Sequence, residues 1–228
     1  MPLSDRNMKI FATSDIHGNQ IILDKLEHIV PRADMVIVCG DIGGKNFSRG
    51  DTLRDVSVRQ RKDAVRLVNR MRELSVPFKF ILGNDDWFEC DGEHYLNAPA
   101  SVSGYGLVPF EFVSITPFNT NREVNENKLR YELGKLKTDE RTVVVAHTPP
   151  YLCGDILYNG THIGSRAVRG WISDTRPRVW LCGHIHEDYS VSKIGDSFVF
   201  NCACDHLKDE LRGWIIDLDT MAYESVVI

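Results

Sequence analysis

Five short apolar runs, each closed by a cluster of polar residues and glycine, constrain this chain more than any other feature. Met8 to Ala12 leads into Thr13, Ser14, Asp15, Ile16, His17 and Gly18, and Met35 to Cys39 into Gly40, Asp41 and Ile42. Phe78 to Leu82 leads into Gly83, Asn84, Asp85 and Asp86; Val143 to Ala146 into His147 and Thr148; Val179 to Cys182 into Gly183, His184, Ile185 and His186. Runs of four to six residues rich in Val, Ile, Leu and Phe, without polar alternation, read as strands buried on both faces. Amphipathic segments lie between them: Gln20 to Ile29 behind a candidate N-cap at Asn19, Thr52 to Leu74 before Pro77, Glu123 to Lys137, and residues 163–173. Ser197 to Asn201, Gly213 to Leu218 and Tyr223 to Ile228 alternate like antiparallel strands. Strands alternating with helices predict an α/β protein. With no repeat, low-complexity segment or Ser/Gly linker, residues 1–228 read as a single domain.

Composition narrows the function classes. Of 228 residues, 43% are hydrophobic and 26% charged, an ordinary globular balance. Lys and Arg number 27 against 32 Asp and Glu, and a net charge of −5 argues against an extended nucleic-acid surface. No apolar stretch is long enough to span a bilayer and the N-terminal residues show no secretory h-region, so a cytoplasmic protein without membrane contact is expected. Six cysteines in a chain of this length do not suggest a disulfide framework. Cys39 and Cys182 read as buried small hydrophobes. The Cys202-x-Cys204 pair has no second pair at zinc-site spacing.

Open α/β sheets place their chemistry at the C-terminal ends of strands. Here those ends carry Asp15, His17, Asp41, Asn84, His147, His184 and His186, all oxygen or imidazole donors. Seven donors are too many for one tetrahedral zinc but suit two metal ions sharing a carboxylate. Asp15 and His17 stand at i, i+2, as do His184 and His186, so each pair can project to one side of an extended segment. Taken singly, each motif is an ordinary turn or helix cap. Five unrelated turns in this order would be a large coincidence.

In residues and order the clusters resemble the calcineurin-like metallophosphoesterase superfamily. Its signature is D-x-H, GD, GN-(H/D/C)-(E/D), a lone His after a strand, and GH-x-H. The chain reads DIH, GD, GNDD, AH and GHIH, across residues 9 to about 201. The segments TPFNT (116–120) and THIGS (161–165) are similar to a subgroup of small prokaryotic phosphoesterases. The resemblance implies a four-layer αββα sandwich, two mixed sheets flanked by helices, with the metals at one edge. It implies a first ion on Asp15, His17 and His186, Asp41 as the bridge, and a second ion on Asn84, His147 and His184. The expected cofactor is two divalent ions, Mn²⁺ favoured with Fe or Zn²⁺ also compatible. The expected reaction is in-line attack of a metal-bridging hydroxide on a small phosphoester, a phosphodiester such as a cyclic nucleotide or a phosphomonoester. A non-catalytic metal-binding scaffold of the same fold is the alternative, although every ligand position is filled.

Two departures mark this chain. Asp85 stands where many relatives have a substrate-contacting His, and it is the candidate catalytic acid beside His184; it could donate a proton only with a raised pKa, for which Asp86 would supply a neighbouring charge. Asn201-Cys202-Ala203 replaces the usual Asn-Pro-Gly. Trp87 and His162 are candidate substrate contacts, whereas His28, His94 and His206 read as surface residues. Loops 43–52, 87–105 and 150–165 are expected to shape substrate choice.

Overall fold

The computed structural model describes residues 7–45 and 47–228. In chain order the strands are β1 (Lys9–Thr13), β2 (Met35–Cys39), β3 (Phe78–Ile81), β4 (Ala100–Val102), β5 (Tyr105–Phe110), β6 (Val113–Ser114), β7 (Glu123–Val124), β8 (Thr142–Ala146), β9 (Val179–Cys182), β10 (Val191–Ile194), β11 (Ser197–Asn201), β12 (Arg212–Asp217) and β13 (Tyr223–Val227). The α-helices are α1 (Gln20–Lys25), α2 (Leu53–Glu73), α3 (Glu126–Leu133) and α4 (Arg166–Thr175). One sheet runs β13-β12-β1-β2-β3, the other β10-β11-β9-β8-β5-β4, and a two-stranded ribbon joins β6 to β7. Both large sheets are mixed: β1, β2 and β3 are parallel with β12 antiparallel to β1, and β11, β9, β8 and β5 are parallel between antiparallel edges β10 and β4.

The apolar runs are continuous because each strand feeds two cores, with side chains alternating by the period of the pleat. Val36 and Val38 of β2 pack with Ile22 and Leu23 of α1 and Leu67 and Met71 of α2. Met35, Ile37 and Cys39 of the same strand meet Val143, Val145 and Leu181 of the other sheet. On the far side Val144, Ala146 and Trp180 pack under Leu129 and Leu133 of α3 and Val168 and Ile172 of α4. Helix, sheet, sheet and helix thus form the four expected layers.

The main elements stand where the sequence places them, with shifts that have local causes. Helix α1 gives way to 3₁₀ turns at Leu26–His28 and Val30–Arg32, the second containing Pro31, which has no N–H to continue an α-helix. Thr52 caps α2 through a reciprocal box with Asp55. Helix α3 starts three residues later than expected, because Glu123 is taken up in the β6–β7 ribbon and Asn125 is the cap. Strand β11, expected with antiparallel neighbours, pairs in parallel with β9 and antiparallel only with β10. Strand β4 lies in the 87–105 stretch expected to be loop, and β5, which the sequence reading does not assign, is disguised by Gly106 and Pro109. Gly106 N–H donates toward β8, to Arg141 O, so the imino nitrogen of Pro109 faces the opposite side. There β4 has already ended, since it pairs only with residues 105–107.

Candidate metal centre

The polar clusters converge at one edge of the sandwich, where the C-terminal ends of β1, β2 and β3 meet those of β8 and β9. Backbone bonds lace the turns together: Asp15 N–H to Gly40 O (3.0 Å), His17 N–H to Asp41 O (2.9 Å) and Gly183 N–H to His147 O (3.1 Å). Side chains complete the lacing, with His184 N–H donating to Asp15 Oδ2 (2.9 Å) and Asp85 N–H to Asp41 Oδ1 (2.8 Å). Asp15, His17, Asp41 and His184 all adopt positive φ, at 60°, 48°, 52° and 72°. Four non-glycine residues in this sparsely populated region within one cluster mark a backbone bent to aim side chains. The same crowding explains Gly183 and Gly83: a Cβ would overlap Asp15 Oδ2 and Ser14 Oγ at the first, and Asp41 at the second.

The expected ligands face one another. Asp15 Oδ1 lies 3.1 Å from His186 Nε2, 3.8 Å from His17 Nε2 and 4.0 Å from His147 Nε2. Asp41 Oδ2 lies 3.3 Å from His147 Nε2 and 3.7 Å from His17 Nε2, a central position between the two imidazoles. His184 stands with its ring 5.2 Å from that of His147. His147 Nδ1 is 2.7 Å from Cys39 O and His17 Nδ1 is 3.3 Å from Gly43 O. Each therefore donates from Nδ1 to a carbonyl and turns Nε2 to the centre. Asn84 is oriented in the same way, because Nδ2 donates to Thr120 Oγ1 (2.8 Å) and leaves Oδ1 facing inward.

Asp15 Oδ1, His17 Nε2, Asn84 Oδ1 and His147 Nε2 are sealed from solvent and make no hydrogen bond. Buried polar atoms are seldom left so, and four converging here fit a metal donor set of carboxylate, amide and imidazole. Burial works to raise both carboxyls, but His186, His147 and His17 hold Asp15 well below its ordinary range, and His147 and His17 do the same for Asp41. Burial works to lower His147, yet Asp41 and Asp15 push it up to about 10. Burial pushes His17 down to about 3 and His184 to about 4.

A cleft of about 940 Å³ opens over the centre, floored by Asp41, Asn84, His184 and His186. Lys45 Nζ and Asp85 Oδ2 form an ion pair in it, 3.0 Å apart. Gln60, buried on α2, fixes both loops: its Nε2 donates to Gly44 O (3.2 Å) and Asp85 O (2.7 Å), and its Oε1 accepts from Trp87 N–H (2.7 Å). Burial and the Asp41 charge raise the Asp85 carboxyl, opposed by Lys45. Asp41 rather than Asp86 is the charge that raises it, and burial and Asp41 push the Asp86 carboxyl itself up to about 7. The Asp86 carboxylate accepts from the backbone of Gly43 (2.7 Å) and Gly83 (2.8 Å), tying the β2 and β3 turns together.

Trp87 lines the cleft. His162 does not: Nδ1 is bonded to Asp155 Oδ1 at 2.6 Å, bracing the 150–165 loop, which instead contributes Leu157 and Ile163. Lys45 lies in the 43–52 loop expected to shape substrate choice but is not itself singled out by any motif, and TPFNT carries no local sign of its place at the cleft, where Ile115 and Phe118 are 65% and 78% exposed at the mouth. Sequence reasoning misplaced His206, expected in solvent. That ring packs 4.3 Å from His17 and 4.9 Å from His186, because its loop follows β11, a parallel neighbour of β9 that ends at the same edge. His94 is likewise half-buried, stacked 4.0 Å from Phe78.

Comparison with known proteins agrees with this geometry. Residues 8–188 match the family model described as calcineurin-like phosphoesterase. The chain is 32% identical over 210 residues to the uncharacterized protein MJ1162 of Methanocaldococcus jannaschii, covering 85% of this chain and 87% of that protein. Among solved structures, TT1561 of Thermus thermophilus superposes with a TM-score of 0.62 at 15% identity, covering 97% of this chain and 99% of the other. A dimetal phosphatase from Danio rerio gives 0.56 at 12%, covering 97% and 92%. Among the described residues no helix is long and apolar enough to cross a membrane.

Proposed function

The chain belongs to the calcineurin-like phosphoesterases, metal-dependent hydrolases of phosphoric esters, and on that premise we propose that it acts on phosphodiesters carrying an apolar or aromatic arm. Asp15, His17 and His186 would hold a first divalent ion and Asn84, His147 and His184 a second, with Asp41 as the carboxylate they would share. The four orphaned donor atoms support this assignment. Two such ions, Mn²⁺ in the favoured case, supply a nucleophile at neutral pH and neutralise charge on the phosphoryl oxygens.

The observation that carries the diester reading is the charge balance of the cleft. Among the described lining residues, Lys45 is the one cation other than imidazole, and Asp85 neutralises it at 3.0 Å. Asp41 and Glu187 add further negative charge. A dianionic monoester would meet little protein charge of opposite sign, whereas a monoanionic diester asks for less. Phe47, Trp87, Ile115, Phe118, Leu157 and Ile163 offer apolar surface to the second ester group. Lys45, paired with Asp85 and with both loops fixed by Gln60, would be the proton source for the leaving group.

The test is hydrolysis of bis-p-nitrophenyl phosphate and p-nitrophenyl phosphate by chelator-stripped protein, with and without Mn²⁺. Turnover restored by the metal, with kcat/KM at least about tenfold higher for the diester, is the expected result. Preference for the monoester would overturn the diester reading. Two bound ions without turnover would favour the scaffold, and no metal binding would remove the centre altogether.

A further inference from the structure

His206 has no role in the family pattern stated above, yet the fold delivers it to the metal edge. Ring nitrogens of His17, His186 and His206 lie within 4.8 Å of one another, the spacing of donors around a single ion. Nδ1 of His206 is shut off from solvent and has no hydrogen-bond partner, although the residue is in a surface loop. That loop is pinned. Asn19 donates from Nδ2 to His206 O (3.0 Å) and to Asp209 Oδ1 (2.7 Å) while its Oδ1 caps α1. Asp205 accepts from Lys208 Nζ (2.6 Å) and Arg212 Nη2 (3.3 Å), and Cys204 N–H donates to Ser14 O (3.0 Å) next to Asp15. Both ends of the loop are therefore fastened to the strand and helix that flank Asp15 and His17.

We propose that His206 is an additional ligand of the first ion, completing a set of three imidazoles with His17 and His186 beside the Asp15 carboxylate. The proposal rests on the metal assignment made above. A site with three imidazoles favours borderline divalent ions such as Zn²⁺ and Co²⁺ over Mg²⁺ and Ca²⁺. The cleft opens over Asn84, His184 and His186, whereas His206 is not among the residues that line it.

The experiment is a Zn²⁺ titration of full-length protein labelled with ¹⁵N at histidine, with calorimetry of the wild type and of His206→Gln alongside. Loss of a signal in His206→Gln assigns the ring, and a near-ultraviolet circular dichroism spectrum like the wild type's verifies the variant's fold. A coordination shift at the His206 ring, with roughly 10- to 100-fold weaker binding of one of two ions in the variant, supports the proposal. Shifts at His17 and His186 with none at His206 would overturn it and leave the metal assignment standing. If no histidine shifts on adding Zn²⁺, the metal assignment itself falls. Where the variant does not fold, through-bond assignment of the wild-type histidine rings replaces it, and the wild-type spectrum then decides between these outcomes.

Discussion

Metal uptake at this centre is coupled to proton loss, and the coupling can be sized from the cluster. His147 Nε2 faces Asp41 at 3.3 Å and Asp15 at 4.0 Å. Burial opposes a charge on the ring, but the two carboxylates outweigh it and push His147 up to about 10. His17 and His184, pushed down by burial to about 3 and about 4, carry no proton near neutrality. A divalent ion can use His147 Nε2 only by displacing its proton. Because the ring stays almost fully protonated below pH 9, the apparent association constant of the ion it holds rises about tenfold per pH unit, or roughly 100-fold from pH 6 to pH 8. His186 is raised in the same sense, burial working to lower it and Asp15 to raise it.

Calorimetry of Zn²⁺ binding in two buffers of different ionisation enthalpy measures the release. At pH 6, below the value near 7 at which zinc-activated water ionises, the protons come from imidazole. At least one per pair of ions is expected. In His147→Asn the pH slope should flatten and the second ion should bind weakly or not at all. Affinity that is flat from pH 6 to pH 8, with no proton released, would refute both the charge on His147 and its place as a ligand.

The same groups set the stability of the chelated protein. His147, raised above its unfolded value, stabilises fully below pH 6.5 and loses that contribution as pH climbs toward 10, whereas His17 and His184, lowered, stabilise above pH 6.5 and lose it as pH falls toward 4 and 3. Thermal unfolding in excess chelator should give a Tm maximum near pH 6.5, with stability falling by about 2–3 kcal/mol per pH unit below pH 5.5; a flat profile would contradict the burial of these rings. Gly183→Ala forces a Cβ into Asp15 Oδ2 and Ser14 Oγ, so urea unfolding should show a loss of about 1–3 kcal/mol and calorimetry a weaker first ion. Lys45→Met should cut kcat on the diester by about 100-fold, the scale of losing one charged contact in a transition state, while Asp85→Asn, which frees the Lys45 charge, should narrow the gap between monoester and diester; equal effects on both substrates would exclude the pair from substrate choice. Glu123→Gln weakens the bonds that Glu123 accepts from Thr116 and Thr120, so steady-state kinetics should show a several-fold higher KM with kcat nearly unchanged.

What was legible in the sequence and what was not divides along one physical line. Asp15, Asp41, Asn84, His147 and His184 follow strands buried on both faces, and such strands announce themselves as apolar runs whatever surrounds them. Parallel pairing carries the polar clusters of each sheet to one end and the packing of the two sheets brings those ends together, so the candidate donor set could be read without knowing the sheet order. Lys45, His206 and the 114–120 segment reach that edge by contacts that leave no period in the sequence. Lys45 is positioned by Gln60, a polar residue in the apolar stripe of α2 that nothing local distinguishes from an exposed one. Phe118 is held through Glu123, whose carboxylate accepts from the backbone and hydroxyl of Thr116 and Thr120, so a residue expected in a helix organises the cleft mouth instead. His206 depends on Asn19, read as a helix cap, which it is, but whose free amide hydrogens also anchor the loop across the edge. In each case one side chain does two tasks, and the sequence pattern reveals only the task with a period. Chemistry fixed by strand order is therefore open to sequence reasoning in this fold, whereas substrate choice, built from side chains on different elements holding one another's loops, becomes readable only from the assembled edge.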